Sequence, residues 1–496
     1  MTGHSTNLKA ADIRAKLGHP IIDADGHMIE VIPIFLEYLK KVGGPSTVDD
    51  YKAWEQARGS AWYTSTLQQR LKRRLERIPF WMVPSRNTAD RAACMLPRLM
   101  RSRLDNLGID MAILYPTVGL LGMFMTSDDL RRSVVRAMNM MNADVYGPYA
   151  DRLTPVALIP TFTPEEALAE LDFVVKELRM KAVVIHGGVT RMLPPEDQVS
   201  RFKTNIYLDY LAMDSLFDYD PLWQKCQDLG VAVTTHTGCQ SMPNRLSPTS
   251  FVFNHLGHFA QQHEGQCKAF VLGGVTKRFP RLNIAFMEGG VGWASALYNQ
   301  MFEHWEKRNA EALHTNLNPA LLDTERLRAL ISSHGDDLHR VKLEEIVSGK
   351  GDFWRDRWQE TAHDIDEYAR CGIKSKRDIY ERFVPNFFFG CEADDRMVPI
   401  AFDQRLNRQR AKLKAMFSSD IGHWDVIDAE GVVPEAYEFL ERGLINPEDF
   451  RSFMFDNAVL LHGGMNRDFF RGTPIEAEAR SRLEQQQKMD REVVGN

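Results

Sequence analysis

The chain has 496 residues, with 61 basic against 67 acidic side chains and a formal net charge of −6. Its 44% hydrophobic and 26% charged residues are ordinary for a globular protein, and this charge balance gives no reason to expect nucleic acid or an anionic membrane as partner. The polar start (Met1-Thr2-Gly3-His4) lacks a signal-peptide h-region, no run approaches the roughly 18 apolar residues of a membrane span, and six scattered cysteines without a CxxC pair suggest reduced thiols in a cytoplasmic protein.

Eight short apolar runs follow one another along the chain. The first, over 20–27, ends in Asp23-Ala24-Asp25-Gly26-His27 and continues to Glu30. Residues 31–105 then form a long Arg-rich helical segment centred on 68–75. The second and third runs cover 109–116 and 153–160. Apolar spacing over 164–175 predicts a helix, with Thr163 as N-cap and Pro164 in its first turn. The fourth run, 182–188, carries His186, and 189–218 read as loop. A helix opens at Asp220-Pro221 ahead of the fifth run, 231–236, which ends in His236. The sixth, 282–288, ends in Glu288. Residues 303–385, dense in charge and tryptophan, separate it from the seventh, 387–392. The eighth, 416–420, ends in Asp420, and a charged, helix-permissive tail closes the chain.

Runs that are continuously apolar are strands buried on both faces, as in parallel sheets. Their alternation with helices predicts a parallel α/β fold. A distorted (β/α)₈ TIM barrel is preferred over an open doubly wound sheet. A barrel gathers the ends of the first, fifth and eighth strands at one mouth, whereas an open sheet spreads them apart. The expected organisation is an N-terminal arm over 1–19, a barrel over 20–465 with helical insertions at about 31–105 and 303–385, and a tail over 466–496. The tail reads as a docking arm or a disordered segment.

The strand ends carry the chemistry. Asp25 and His27 are two apart, so in a strand both face one ion. Glu30 can reach back from the next loop. His236, Glu288 and Asp420 end strands of their own. Imidazoles with carboxylates suit zinc, manganese or iron. The metal candidates are therefore Asp25, His27, Glu30, His236, Glu288 and Asp420. The catalytic candidates are Asp420, His255 and His423. His255 and His258 stand i, i+3 on one helical face, while His263 reads as solvent-facing. Asp394 and Asp395 read as substrate contacts or, preferably, as ion-pair partners of Arg396. Trp81, Met82, Met123, Phe124 and Met125 read as either a pocket wall or plain core.

Asp23-Ala24-Asp25-Gly26-His27-Met28-Ile29-Glu30 resembles the opening of the amidohydrolase-related branch of the amidohydrolase superfamily. That branch includes aminocarboxymuconate-semialdehyde decarboxylase and aromatic-acid decarboxylases. Asp220-Pro221-Leu222-Trp223, His236-Thr237-Gly238, the stretch from Gly273 to Trp293, Ser419-Asp420-Ile421-Gly422-His423 and Asp456-Asn457-Ala458 resemble it too. The resemblance spans about 20–465, outside the insertions. It implies Asp25, His27 and His236 as metal ligands and Asp420 as a ligand or the base for a metal-bound water. The chain departs from the pattern at Glu288, where the decarboxylases often carry histidine. It departs again at His186, where other branches place a metal-bridging lysine. Dinuclear iron or manganese oxygenases on this barrel, such as a 2-aminoisobutyrate hydroxylase, are similar as well.

Three activities follow. Metal-dependent hydrolysis of a small organic substrate through activated water is favoured by the breadth of the superfamily. Non-oxidative decarboxylation of an aromatic or unsaturated acid is the second. Oxygen-dependent hydroxylation at a dinuclear site is the third, supported by Glu30 and Glu288. Zinc is the expected ion, with iron or manganese, in one or two positions, as the alternative. The expected partner is a small-molecule substrate, in a homo-oligomer, a dimer by likeness to the branch.

Overall fold

The computed structural model describes residues 8–78, 83–193, 206–238, 245–350 and 365–495. Trp81, Met82 and Cys239 lie outside them. The eight apolar runs form eight strands: β1 (Ile22–Met28), β2 (Met111–Pro116), β3 (Leu153–Ile159), β4 (Ala182–Ile185), β7 (Val233–Thr235), β8 (Ile284–Phe286), β9 (Phe387–Glu392) and β10 (Lys414–Ser418). Each pairs in parallel with the next. The ring closes through the segment after β10. Asp420 N donates to Asp25 O at 3.0 Å, and His27 N donates to Ile421 O at 2.9 Å. The fold is a (β/α)₈ barrel, and both strand faces are buried. On β3, Val156 and Leu158 join one apolar cluster while Ala157 and Ile159 join the other.

Closure sets the first and last strand ends side by side. In β1 the pairing register with β2 shifts between Asp23 and Gly26. Such a bulge re-aims the side chains beyond it. Gly26 fits there because a Cβ would stand 2.5 Å from Asp23 Oδ2. Asp23 in turn staples β1 to the last strand. Its Oδ1 accepts from Ser419 N at 2.9 Å, and its Oδ2 accepts from Ser419 Oγ at 2.6 Å.

The segments outside the bare barrel are mostly helical. The first insertion opens with the helix Ile32–Thr64, interrupted by Gly44 (φ 83°) and Pro45. This helix packs along Asp128–Tyr146, with Tyr38 Oη donating to Asp144 at 2.7 Å. Beyond it, Trp62 Nε1 donates to Pro248 O at 2.8 Å, so the insertion meets the loop after β7. Residues 189–218, expected as loop, contain an antiparallel hairpin, β5 (Val189–Met192) with β6 (Ile206–Asp209). Their short, half-exposed strands carry little apolar pattern, which hides them in the sequence. The tail differs from a disordered arm. Phe469, Phe470, Ile475, Ala479 and Leu483 are buried, and the helix Glu476–Gly495 lies along Asn457–Gly463. Among the described residues no helix is long and apolar enough to cross a membrane. The five described cysteines are free and buried.

Candidate metal centre

Four strand ends bring their donors together. His27 Nε2 lies 3.0 Å from His236 Nε2. Asp25 Oδ1 stands 3.3 Å from His236 Nε2 and 3.6 Å from His27 Nε2. Asp420 Oδ1 is 3.4 Å from His27 Nε2, and Glu288 Oε2 is 3.2 Å from His236 Nε2. Ligands bonded at about 2.1 Å, with angles between 90° and tetrahedral, lie roughly 3.0–3.4 Å apart. Four of the five separations are those of ligands to one ion, and Asp25 to His27 is slightly longer. Their donors fall into two overlapping groups that share His27: Asp25, His27 and His236 in one, and His27, Glu288, Asp420 and His423 in the other.

Burial makes the cluster demand a cation. Asp25, His27, His236 and Asp420 are at most 2% exposed. Asp25 Oδ1, Glu288 Oε2 and Asp420 Oδ2 have no hydrogen-bond donor among the described residues, and Asp420 Oδ1 has the His423 ring beside it. Unpartnered buried carboxylate oxygens cost several kcal/mol unless a positive charge answers them. Accordingly, burial first and the neighbouring Asp420 next hold the Glu288 carboxyl well above the usual range. Burial, then Asp425 and Asp25, does the same to Asp420. Burial, with His423 and His236 beside it, drives His27 well below the ordinary imidazole value. Neutral imidazoles are the metal-binding form, and a divalent ion would reverse the penalty on the carboxylates. The residues present thus fit a divalent cation.

Backbone conformation serves the same arrangement. Glu288 (φ 56°) and Asp420 (φ 52°) are both left-handed although neither is glycine. Such positions cost about 1–3 kcal/mol each and persist where the surroundings dictate them.

The remaining candidates take other places. Glu30 is buried, but its carboxylate turns to the backbone. Oε1 accepts from Gly119 N at 2.7 Å, and Oε2 accepts from Val118 N at 2.9 Å and Thr117 N at 3.3 Å. The structure therefore does not bring Glu30 into either donor group. His423 Nδ1 stands 2.7 Å from Asp420 Oδ1, and its ring lies 3.8 Å from that of His27. His255 sits farther out, its ring 4.7 Å from His258 and 6.0 Å from Trp424. These two histidines do not share a helix. Gly257 (φ 72°) separates Phe251–His255 from His258–Leu272.

His263, expected to face solvent, is fully buried, and Nε2 lies 2.7 Å from Met287 O. Arg396 pairs with Glu438 at 3.1 Å rather than with Asp394 or Asp395. Asp395 instead accepts from Met397 N at 2.8 Å. Met123 and Met125 belong to the core, while Phe124 is partly exposed and its ring meets His186 at 4.9 Å. Two acids escaped attention in the sequence. Asp23 is buried behind Asp25. Glu392, at the end of β9, is held well above the carboxylate range by burial and then by Asp420. The position of Glu392 at a strand end was the available signal.

The amidohydrolase family model matches residues 22–337, more than half of the chain, and the chain belongs to this family of enzymes. No curated protein matches it. Among solved structures, an amidohydrolase of Mycobacterium avium subsp. paratuberculosis K-10 is 17% identical, covering 90% of this chain and 100% of its own at a TM-score of 0.48. A dihydroxybenzoic acid decarboxylase of Polaromonas sp. JS666, with bound manganese and 2-nitroresorcinol, is 16% identical over 91% and 99%, with a TM-score of 0.46. A 5-carboxyvanillate decarboxylase of Sphingomonas paucimobilis is 14% identical over 89% and 98%, with a TM-score of 0.47.

Proposed function

We propose that the chain is a divalent-metal-dependent decarboxylase of an aromatic or unsaturated acid. The observation that carries this reading is the closure of the site. The donors are almost fully buried, and an aromatic ring stands against them: Phe259 lies 5.4 Å from the His236 ring. Hydrolysis, favoured on family breadth, needs water as a reactant. Decarboxylation needs none, and stripping water from a carboxylate assists loss of carbon dioxide.

Asp25, His27, His236 and Asp420 would hold the ion, with Glu288 beside His236. When bound, such an ion supplies a Lewis-acid anchor for an anionic substrate oxygen. Asp23 fixes the geometry of β1, and the Phe259 ring beside His236 would keep water from the ion. The Asp420–His423 pair, 2.7 Å apart, would share the proton that the reaction consumes. As the bond between carbon and carboxylate breaks, carbon dioxide leaves and this proton takes its place on carbon.

Two observations support other readings. His423 retains 12% side-chain exposure, a proton route to solvent that suits hydrolysis. The two donor groups meeting at His27 suit a pair of ions, hence oxygen-dependent hydroxylation. Incubation of the manganese-loaded protein with hydroxybenzoates and unsaturated acids separates the three. Carbon dioxide equimolar with a decarboxylated product, unchanged without oxygen, is the expected result. Product carrying oxygen from labelled water, or turnover that stops anaerobically, would overturn the reading.

A further inference from the structure

We propose that His263 is a positioning residue that sets the aim of Glu288 and His236 by tying together the strand ends that carry them. The proposal rests on the metal-dependent reading of the site. His263 belongs to the helix His258–Leu272 and touches none of the reacting groups. Its ring is fully buried against the ends of β7 and β8. Nε2 lies 2.7 Å from Met287 O, and a carbonyl oxygen brings no proton, so Nε2 is the N–H donor. Nδ1 then keeps its lone pair towards Thr235 Oγ1 at 3.4 Å, whose one proton it shares with Ala285 O, also at 3.4 Å. Thr235 immediately precedes His236, and Met287 immediately precedes Glu288. Met287 N also donates to Thr235 O at 2.9 Å, so ring and ladder clamp the same two chain positions.

The clamp acts where the backbone is most demanding. The carbonyl that His263 holds belongs to the peptide unit entering Glu288, which turns there into left-handed φ at 56°. Fixing that peptide plane directs the Glu288 carboxylate to 3.2 Å from His236 Nε2. Gly289 leaves room for the ring, since a Cβ there would stand 2.6 Å from His263 Cδ2. Burial pushes the His263 imidazole down to about 3, so it remains the neutral tautomer that both bonds require. Packing alone would not demand histidine. The rings nearby are Phe286 at 5.4 Å, Trp293 at 6.2 Å and Phe259 at 6.2 Å, and phenylalanine would pack among them as well.

The test compares His263→Phe, which keeps the packing and loses both bonds, with His263→Gln, whose amide restores a donor towards Met287 O. Manganese affinity is measured by chelator competition on full-length protein, with circular dichroism confirming the fold. His263→Phe should bind manganese 10–100-fold more weakly, the usual loss when a ligand's support is removed. His263→Gln should recover most of that loss. Wild-type affinity in His263→Phe, or equal loss in both variants, would overturn the proposal. A wild type that binds no manganese would defeat the metal reading instead. The positioning claim is then read from crystals of metal-free His263→Phe, where Glu288 still at its left-handed φ and still beside His236 would overturn it.

Discussion

Removing one carboxylate from the metal centre should stabilise the metal-free protein while it weakens metal binding. Glu288→Gln is the cleanest case, because glutamine matches the size of a protonated glutamate. In the metal-free fold the Glu288 carboxyl is raised well above its ordinary 4.5, first by burial and then by Asp420. The folded state therefore keeps a proton that the unfolded chain releases. Stability from this group is complete below pH 4.5 and is lost as pH rises towards the folded value. The loss is about 1.4 kcal/mol for each pH unit over which the folded carboxyl stays protonated. Glutamine takes up no proton, so the variant escapes that slope. Denaturant unfolding in EDTA at pH 5, 6 and 7 should show the variant gaining on wild type as pH rises. With manganese at 100 times its dissociation constant, wild type regains about 2.7 kcal/mol and the variant less. Parallel pH curves in EDTA would refute the electrostatic reasoning, since Glu288 would then be as well solvated folded as unfolded.

Other variants probe separate parts of the site. His27→Ala and His236→Ala should each lose bound metal and activity, measured by elemental analysis of the purified protein; full metal content in either would remove that imidazole from the ligand set. Asp420→Asn should retain much of its metal while turnover falls on the order of 10²–10⁴-fold, the scale of general acid–base catalysis; equal loss of metal and rate would make Asp420 a ligand alone. His462 tests the tail. It is buried, stacked on Phe469 at 4.4 Å, and pushed by burial from 6.5 to about 3. The unfolded chain therefore takes up a proton first as pH falls below 6.5, so stability is complete above that value and declines towards pH 3. His462→Phe should flatten the acid limb by about 1.4 kcal/mol per pH unit, measured by denaturant unfolding between pH 7 and 5.

The barrel was legible because it rests on short-range pattern, and the same strand ends supplied the candidate ligands. Eight continuous apolar runs can hardly be anything but buried parallel strands, and Asp25, His27, His236, Glu288 and Asp420 each end one. What escaped depends on long-range packing. Glu30 looks like a ligand from its spacing, yet three backbone N–H groups near residue 118 claim its carboxylate, and nothing local to Glu30 announces them. The burial of His263 follows from how its helix lies across β7 and β8. The helix shows no strong apolar stripe, with His258, Gln262, His263 and Gln266 all turned inward. The pairing of 189–192 with 206–209 escaped because each strand is only four residues long, and the tail's docking depends on Phe469 and Phe470 finding the cluster behind His462.

The central claim is that Asp25, His27, His236 and Asp420 hold a divalent ion. Anomalous diffraction from crystals grown with manganese tests it most directly. The account predicts a peak between His27 Nε2 and His236 Nε2, with both nitrogens, Asp25 Oδ1 and Asp420 Oδ1 within about 2.3 Å of it. Crystals showing no peak there, with the two nitrogens still hydrogen-bonded at 3.0 Å, would contradict it.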